Sequence, residues 1–294
     1  MTAPTPPTPP VAQVLGRVLD SRVSGAYSAL RLAAPDVAGP ARPGQFVALA
    51  VGGPASATLL RRCFSLHRAT PAGAVDLVVA PKGPGTRWLA DLRVGDVVDV
   101  VGPLGRPFPL PDEPVPCVLV GGGYGSAPLF WLAEALRERG CAVHVVLGAA
   151  SADRLFGVAE AERTCDAVTV TTDDGSAGRR GRVSDPLGEV LAASGAGLVY
   201  ACGPMAMLAS VSRITAEHGA TAHVAVEESM ACGIGVCMTC VLPVVGDDGA
   251  TRMVRSCVEG PVLRGDRVRW DAFADGICRV PPDAVGAPAG GGHG

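Results

Sequence analysis

Four of the ten cysteines lie close together near the C-terminus, and this group constrains the chain more than any other feature. They are spaced C-x4-C-x2-C, followed by sixteen residues and a fourth cysteine: Cys232, Cys237, Cys240 and Cys257. The other six stand singly and are predicted to be reduced, buried, apolar side chains. A chain of 294 residues that is predicted to be cytoplasmic is not expected to use ten cysteines as a disulfide framework. The four grouped cysteines are therefore predicted to hold a metal centre.

The spacing of the first three cysteines is that of plant-type [2Fe-2S] centres. Four thiolates must converge on two irons, so the loop has to fold tightly around inorganic sulfide. Gly233 and Gly235 permit the unusual backbone dihedrals that direct N–H groups at the sulfurs. A structural zinc site favours two C-x2-C pairs, and only one is present here. The pattern therefore predicts a [2Fe-2S] cluster rather than zinc or four incidental core cysteines.

Charge and hydropathy exclude two classes of partner. Lys and Arg number 25 against 28 Asp and Glu, which gives a net charge of -3. Without a basic surplus, nucleic acid is not an expected partner. No run approaches about 18 uncharged apolar residues, so no membrane span is predicted. The N-terminus lacks the features of a signal peptide, and a cytoplasmic location is expected. Residues 1–10 and 286–294 are predicted to be disordered tails.

The periodicity of apolar residues changes along the chain and predicts several domains. Short alternating strands, with one helix at 86–92, indicate an antiparallel β-barrel in the first third. These strands are predicted at 13–19, 29–32, 45–50, 64–69, 74–79 and 97–101. From residue 114 onward, strands alternate with helices, which indicates an α/β domain with a parallel sheet covered on both faces. Its strands are predicted at 117–120, 142–147, 168–172, 197–200 and 222–226, and its helices at 127–139, 186–193 and 205–218. Regular signals fade after residue 226, in the cysteine-rich segment.

Two motifs in the barrel are candidates for binding a flavin nucleotide. Arg62 could neutralise a phosphate, Phe64 could pack against the isoalloxazine ring, and Ser65 could hydrogen-bond near its N5. An arginine beside an ordinary alternating strand explains this first motif equally well. The second motif, Lys82-Gly-Pro-Gly-Thr86, opens a predicted helix, where free N–H groups suit a pyrophosphate. A plain tight turn is its alternative, and the two motifs together favour a flavin.

Two turns in the α/β domain are candidates for binding a nicotinamide dinucleotide. The sequence Gly-Gly-Gly-Tyr-Gly-Ser at 121–126 follows a strand and precedes a helix, although Ser126 stands where G-x-G-x-x-G would have its third glycine. Cys202-Gly203-Pro204 follows another buried strand, at the sheet edge where ligands bind in open α/β folds. Each turn could instead be purely structural. No Ser/His/Asp arrangement or metalloprotease motif supports hydrolysis.

In this order, the motifs resemble those of the ferredoxin-reductase-like flavoproteins, and more narrowly the family of electron-transfer subunits of dihydroorotate dehydrogenase B. The resemblance covers residues 11–280 approximately. It is carried by LLRRCFSL at 59–66, KGPGT at 82–86, GPLGRPF at 102–108, VGGGYGSAPL at 120–129, TDDGSAGRRG at 172–181, CGPMAM at 202–207, EESMACGIGVCMTC at 227–240 and CVEGPV at 257–262. The chain departs from the family pattern at Cys63, where proline is usual, and at Met238, where an aromatic residue is common.

The resemblance implies FAD, a [2Fe-2S] cluster and NAD as cofactors, each with its own domain. The implied domains are an FAD-binding barrel at 11–113, an NAD-binding α/β domain at 114–222 and a cluster domain at 223–285. The implied flavin contacts are Arg62, Phe64, Ser65, Gly83, Gly85 and Thr86. The implied dinucleotide contacts are Gly122, Gly123 and Gly125, with Cys202 and Gly203 near the nicotinamide ring. All four grouped cysteines would bind the cluster.

The resemblance also implies a partner and a place in pyrimidine biosynthesis. A separate catalytic subunit would oxidise dihydroorotate on FMN, and electrons would pass through the cluster and FAD to NAD+. Two copies of each subunit would form a heterotetramer, and no catalytic residue for the orotate chemistry is expected in this chain. A related reductase that serves ferredoxin, hydrogenase or another acceptor remains open. The alternative of another class is a non-enzymatic interaction module stapled by its metal, which would have no use for the flavin and nicotinamide turns.

Overall fold

The computed structural model describes residues 10–53, 56–274 and 276–286. Apart from residues 10 and 286, the two predicted tails lie outside the described residues. None of the described helices has both the length and the apolar run that crossing a bilayer would require.

The first third of the chain forms the predicted barrel. Its six strands are β1 (Ala12–Ser24), β2 (Tyr27–Ala33), β3 (Phe46–Leu49), β4 (Arg62–Ala69), β5 (Ala74–Val79) and β6 (Val97–Leu104). They close in the order β1-β2-β5-β4-β3-β6, and every pairing is antiparallel. Their inward side chains, among them Leu32, Leu66 and Val100, form a fully buried core. The barrel prediction is confirmed. It could be made from the sequence because the alternation of apolar and polar residues indicates which face of each strand is buried.

Two helices accompany the barrel, where the sequence predicted one. The predicted helix is present as α2 (Pro84–Ala90) and begins two residues earlier than expected, since proline suits the first helical turn. The second is a single turn, α1 (Pro35–Ala38), which also opens with proline. Four residues carry too little periodicity for a sequence pattern to reveal.

The middle of the chain forms the predicted α/β layer. Its strands are β7 (Cys117–Gly122), β8 (Val143–Ala149), β9 (Ala167–Thr172), β10 (Arg179–Arg180), β11 (Leu198–Cys202) and β12 (Thr221–Ala225), and its helices are α3 (Ala127–Glu138), α4 (Val158–Thr164), α5 (Ser184–Ser194) and α6 (Met205–Glu217). The six strands are parallel, in the order β10-β9-β8-β7-β11-β12. Residues of α3 share one buried cluster with the sheet, and residues of α5 and α6 share another. Helices therefore cover both faces, as predicted; α4 was not predicted, because only one of its seven residues is fully buried.

The C-terminal segment contains strands that the sequence did not reveal. They are β13 (Val241–Val245), β14 (Thr251–Arg255), β15 (Val262–Arg264), β16 (Phe273–Ala274) and β17 (Ile277–Cys278). Two hairpins, β13-β14 and β16-β17, are formed, and β15 pairs antiparallel with β12 as the last strand of the large sheet. Strands of two to five residues depend on their pairing partners rather than on a local pattern, so the faded signal after residue 226 did not predict them.

Side chains of strand β4 connect the barrel to the α/β layer. The imidazole Nδ1 of His67 lies 2.7 Å from the carbonyl oxygen of Ala127, at the start of α3. The guanidinium of Arg68 contacts the carboxylates of Glu134 in α3 and, at 3.0 Å, of Glu160 in α4. A flavin-motif strand is thereby held directly by two helices of the neighbouring layer.

The environment of His223 is expected to make the stability of the fold depend on pH. It stacks on Tyr200 with ring centroids 5.5 Å apart, and burial, followed by the charge of Arg264, lowers its pKa to about 4. The imidazole of the unfolded chain has a pKa near 6.5. Between pH 6.5 and pH 4, the unfolded chain therefore binds a proton that the folded chain does not bind. Stability is therefore expected to be retained above pH 6.5 and to decrease as the pH falls toward 4.

The comparison of the native chain with His223→Gln by urea denaturation checks this expectation. Between pH 7 and pH 4, the native chain is expected to lose up to about 3 kcal/mol more free energy of unfolding than the variant. Equal losses in both proteins would contradict the assignment.

Candidate functional site

One cleft lies where the barrel, the α/β layer and the cysteine segment meet. Its volume is about 520 Å³. Eight of the eleven predicted cofactor residues line it: Arg62, Phe64, Ser65, Gly83, Gly85, Thr86, Gly125 and Cys202. The other three, Gly122, Gly123 and Gly203, are not among its lining residues. Motifs up to 140 residues apart in sequence thus meet at one place.

The two flavin motifs lie next to each other in this cleft. Gly85 approaches Arg62 so closely that a Cβ on the glycine would lie 3.3 Å from the arginine Nε. No carboxylate among the described residues forms an ion pair with Arg62, whose guanidinium donates only to the carbonyls of Leu60 and Arg61. A positive charge without a partner beside the start of α2 suits an anionic group such as a pyrophosphate.

Thr86 decides which N–H groups at the start of α2 remain available. Its hydroxyl oxygen accepts hydrogen bonds from the N–H groups of Lys82 and Gly83, both at 2.9 Å. The N–H groups of Gly85 and Thr86 have no acceptor among the described residues. Gly83 therefore contributes to the shape of the turn, while the next two donors can face a phosphate.

Strand β4 divides its side chains between the barrel core and the cleft. Phe64 packs against the barrel core and also borders the cleft. Ser65 pairs with Phe46 of β3 and lines the cleft. An aromatic ring and a hydroxyl therefore stand at one wall, as a flavin ring system would require.

The two nicotinamide turns pack against each other at the carboxyl ends of β7 and β11. A Cβ on Gly122 would lie 2.6 Å from the Met207 sulfur, and one on Gly203 would lie 3.2 Å from the Gly122 Cα. Gly203 has a φ of +156° and Gly123 one of +57°. The chain leaves β7 toward β8 on one side and returns through β11 on the other, which makes this the topological switch point of the sheet. Dinucleotides bind at such points.

Gly125→Ala is expected to disrupt this junction. The new Cβ would lie 2.8 Å from the Gly203 Cα and 3.0 Å from the Cys202 carbonyl oxygen, which are backbone atoms that cannot rotate away. We expect the free energy of unfolding to fall by about 1–3 kcal/mol and NADH binding to weaken. Urea denaturation and fluorescence titration measure the two effects. Gly197→Ala is the matched control, because nothing lies within 4 Å of its Cβ position; equal behaviour of the two variants would refute the packing argument.

Several contacts in the cleft were not predicted from the sequence. The ammonium of Lys82 lies 4.9 Å from the centre of the Tyr124 ring, which joins the barrel to the α/β layer. Glu227 and Glu228 line the same cleft from the start of the cysteine segment. Each belongs to a quoted motif, but its neighbours come from another domain, and no local pattern could reveal them.

Burial governs the protonation of the groups around the cleft. It raises the pKa of Tyr124 to about 12 and that of the Cys202 thiol well above its usual range. Desolvation by the surrounding protein also raises the carboxyl pKa of Glu227, and the positive charge of Lys82 opposes this effect. Cys202 is therefore a neutral thiol at physiological pH, which suits packing against a ring better than nucleophilic attack.

The cysteine segment has the backbone geometry that its glycines predicted. Gly233 and Gly235 have φ values of +72° and +83°. The N–H of Val236 donates to the Cys232 sulfur at 3.4 Å, and the Arg255 guanidinium holds the Gly235 carbonyl at 3.1 Å. The loop therefore directs a backbone donor at a sulfur atom.

The four cysteines meet as two pairs. Cys240 and Cys257 are both buried and pack in one cluster of side chains, and Cys232 lies close enough to Cys237 to lower its pKa. Within the described ranges, no three such side chains converge on a point that a single metal ion could occupy. Two thiolate pairs match a centre with two irons, each bound by two cysteines, so the donors present fit a [2Fe-2S] cluster. Hydrogen bonds, first those with Thr239, lower the pKa of the exposed Cys237 to about 6 and favour its thiolate.

The cysteine pairs lie against the barrel beside the cleft. Cys240 and Cys257 are each only 2% exposed and pack with Phe46 and Leu104 of the barrel. Phe46 also lines the cleft. One aromatic side chain therefore contacts both the cysteines and the space available to a flavin.

Comparisons with known proteins agree with this arrangement. Residues 227–269, which include all four cysteines, match the iron-sulfur cluster binding domain of dihydroorotate dehydrogenase B, and residues 119–213 match the oxidoreductase NAD-binding domain. A solved structure of an NADH-dependent reduced ferredoxin-NADP oxidoreductase superposes with a TM-score of 0.77 at 32% identity, over 88% of this chain and 91% of that one.

Curated relatives match over more than three quarters of the chain. The dihydroorotate dehydrogenase B (NAD(+)) electron transfer subunit of Desulforamulus reducens is 35% identical over 87% of this chain and 100% of its own length. The corresponding subunit of Geobacillus kaustophilus is 39% identical over 77% of this chain and 86% of its own. The chain therefore belongs to the family of dihydroorotate dehydrogenase B (NAD+) electron transfer subunits.

Proposed function

We propose that this chain is the electron transfer subunit of an NAD-dependent dihydroorotate dehydrogenase, with FAD in the cleft, a [2Fe-2S] cluster on the four cysteines and NAD at the sheet edge. The observation that carries the proposal is the shared wall between the cleft and the cysteines. Phe46, Cys63 and Met230 each line the cleft and also belong to the cluster of side chains packed around Cys240 and Cys257. Two redox groups bound on either side of this wall would be separated by one layer of side chains, which is the arrangement that electron transfer requires.

When bound, the flavin supplies electron exchange in pairs or singly and the iron-sulfur centre supplies single-electron exchange. The chain's own residues bind and orient these groups. Arg62 would neutralise the flavin pyrophosphate, with the N–H groups of Gly85 and Thr86 beside it, and Gly83 would shape the turn. Phe64 and Ser65 would border the isoalloxazine ring. Gly122, Gly123 and Gly125 would let the dinucleotide approach the backbone, and Cys202 and Gly203 would lie near the nicotinamide.

The proposed domains are an FAD barrel at 11–113, an NAD layer at 114–222 and a cluster domain at 223–285. The barrel and the α/β sheet support the first two. The boundary at 222 falls inside β12, and β15 from the cluster domain pairs with that strand. The last two domains are accordingly proposed as functional units that share one sheet.

The proposed partner is an FMN-containing catalytic subunit, in a complex of two copies of each chain in the cytoplasm. Around the exposed Cys237, three apolar side chains face solvent: Ile234 is 52% exposed, Val236 75% and Met238 52%. An exposed apolar patch beside a redox centre is typical of a docking surface. We infer that the partner covers this patch.

Co-expression with a dihydroorotate dehydrogenase catalytic chain tests the proposal. We expect a stable complex that reduces NAD+ with dihydroorotate. Val236→Lys is expected to weaken the complex at least tenfold, because it buries a charge at the interface. Val23→Lys is the matched control, since Val23 is 82% exposed and lies on β1 of the barrel. A complex that loses affinity equally in both variants would contradict the docking surface.

A second candidate function is supported by the structural similarity to an NADH-dependent reduced ferredoxin-NADP oxidoreductase. In that case, the same patch would receive a ferredoxin. Failure to associate with the catalytic chain, together with NADH oxidation coupled to ferredoxin reduction, would select this alternative.

A further inference from the structure

Cys63 is a fifth cysteine beside the four proposed cluster ligands. It lies on β4, opposite Ala48 of β3. Its sulfur lies 3.1 Å from the Cβ position of Gly233 in the cysteine segment, and it packs with the buried pair Cys240 and Cys257. The same residue lines the cleft. Its thiol therefore belongs to the wall between the cleft and the cysteines.

Ser256 supplies a second hydrogen-bond donor in the same region, its side-chain hydroxyl. It directly precedes Cys257, and its N–H donates to the Cys240 carbonyl at 3.0 Å. Its side chain is 0% exposed, and its hydroxyl has no hydrogen-bond partner among the residues that the structure describes. A buried polar group left unpaired costs about 1–3 kcal/mol. An acceptor that is present only with the cluster would remove this cost.

We propose that the Cys63 thiol and the Ser256 hydroxyl donate hydrogen bonds to sulfur atoms of the cluster and thereby raise its reduction potential. The inference rests on the proposed function, since it presupposes the cluster. Reduction adds negative charge to the sulfurs, so a donor stabilises the reduced form more than the oxidised form. Because Cys63 belongs to the barrel, the flavin domain itself takes part in setting the potential of the neighbouring centre.

Redox titration of the reconstituted full-length chain, followed by electron paramagnetic resonance, tests the proposal. Cys63→Ala and Ser256→Ala are each expected to shift the oxidised-to-reduced ratio of the cluster at a fixed solution potential by about threefold to tenfold toward the oxidised form. A tenfold shift corresponds to a midpoint about 59 mV lower for a one-electron couple. Cys63→Ser retains a donor and is expected to keep the native potential or exceed it.

Cys165→Ala is the matched control, because it removes a half-buried thiol at the end of α4 and leaves the cysteine segment unchanged. Its midpoint is expected to equal that of the native chain. Native midpoints and resonance spectra in both Cys63→Ala and Ser256→Ala, with full iron content, would overturn the inference. Should Cys63→Ala fail to assemble a cluster, Cys63→Ser and Ser256→Ala decide it by the same measurement. Absence of any cluster signal in the native chain would instead refute the proposed function.

Discussion

Cys257→Ala is expected to reduce the iron content of the reconstituted chain to below about one-tenth of the native value. Cys257 and Cys240 are buried side by side, and removal of one would leave the iron that the two are proposed to hold with a single protein ligand. Reduction of NAD+ by dihydroorotate in the complex with the catalytic subunit should fall with the iron, whereas oxidation of NADH by ferricyanide, which can take electrons directly from the flavin, should persist.

Iron and sulfide analysis, with the visible and paramagnetic resonance spectra, measures the effect. Cys278→Ala is the matched control, since Cys278 lies in the same C-terminal region but on β17, outside the two cysteine pairs. It is expected to bind iron as the native chain does. Full iron content in Cys257→Ala would show that this cysteine is not a ligand.

Arg62→Ala is expected to weaken FAD binding more than 100-fold. The guanidinium lies beside the start of α2 without a carboxylate partner among the described residues, so its charge is available to the pyrophosphate. Loss of charge-assisted hydrogen bonds to a partly enclosed phosphate costs about 3 kcal/mol, which corresponds to somewhat more than a hundredfold in affinity. Titration of the deflavinated chain with FAD, followed by flavin fluorescence, gives the dissociation constant.

The neighbouring arginine provides the control. Arg61 forms an ion pair with Asp99 at 2.7 Å, and its hydrogen bond lowers the pKa of that carboxyl. Arg61→Ala is therefore expected to reduce stability and to leave FAD affinity within about threefold of native. Equal losses of FAD affinity in both variants would mean that the strand, and not the Arg62 charge, governs binding.

The sequence predicted the barrel and the parallel sheet because their strands and longer helices each contain enough residues to show a periodic pattern of apolar side chains. Strand 74–79 was predicted with its observed bounds. The single turn at Pro35–Ala38 and the strands after residue 226 carry two to five residues each. Their stability comes from their pairing and packing partners, which for β15 lie far away in sequence, as in the pairing of Val262 with Ala225. Such elements follow from tertiary structure and are not expressed in a local pattern.

The same distinction holds for the candidate site. The motifs marked Arg62, Gly85 and the four cysteines as candidates because their spacing and residue types suggest a chemistry, and the fold brings the two flavin motifs to one cleft. The juxtaposition of Lys82 with Tyr124, and of Cys63 with Gly233, joins segments about 40 and 170 residues apart, and only the folded chain shows it. The glycines of the two nicotinamide turns have a packing role that the sequence also could not separate from ligand approach.

The pairing of β15 with β12 means that the large sheet is completed late in synthesis. During synthesis, β12 emerges almost forty residues before its outer neighbour, so the nascent sheet carries an open edge until 262–264 leave the ribosome. Open edges invite pairing with other chains. The fourth cysteine emerges only a few residues earlier than that strand. A chain cut short before residue 257 would therefore lack both the fourth cysteine and the strand that covers the open edge.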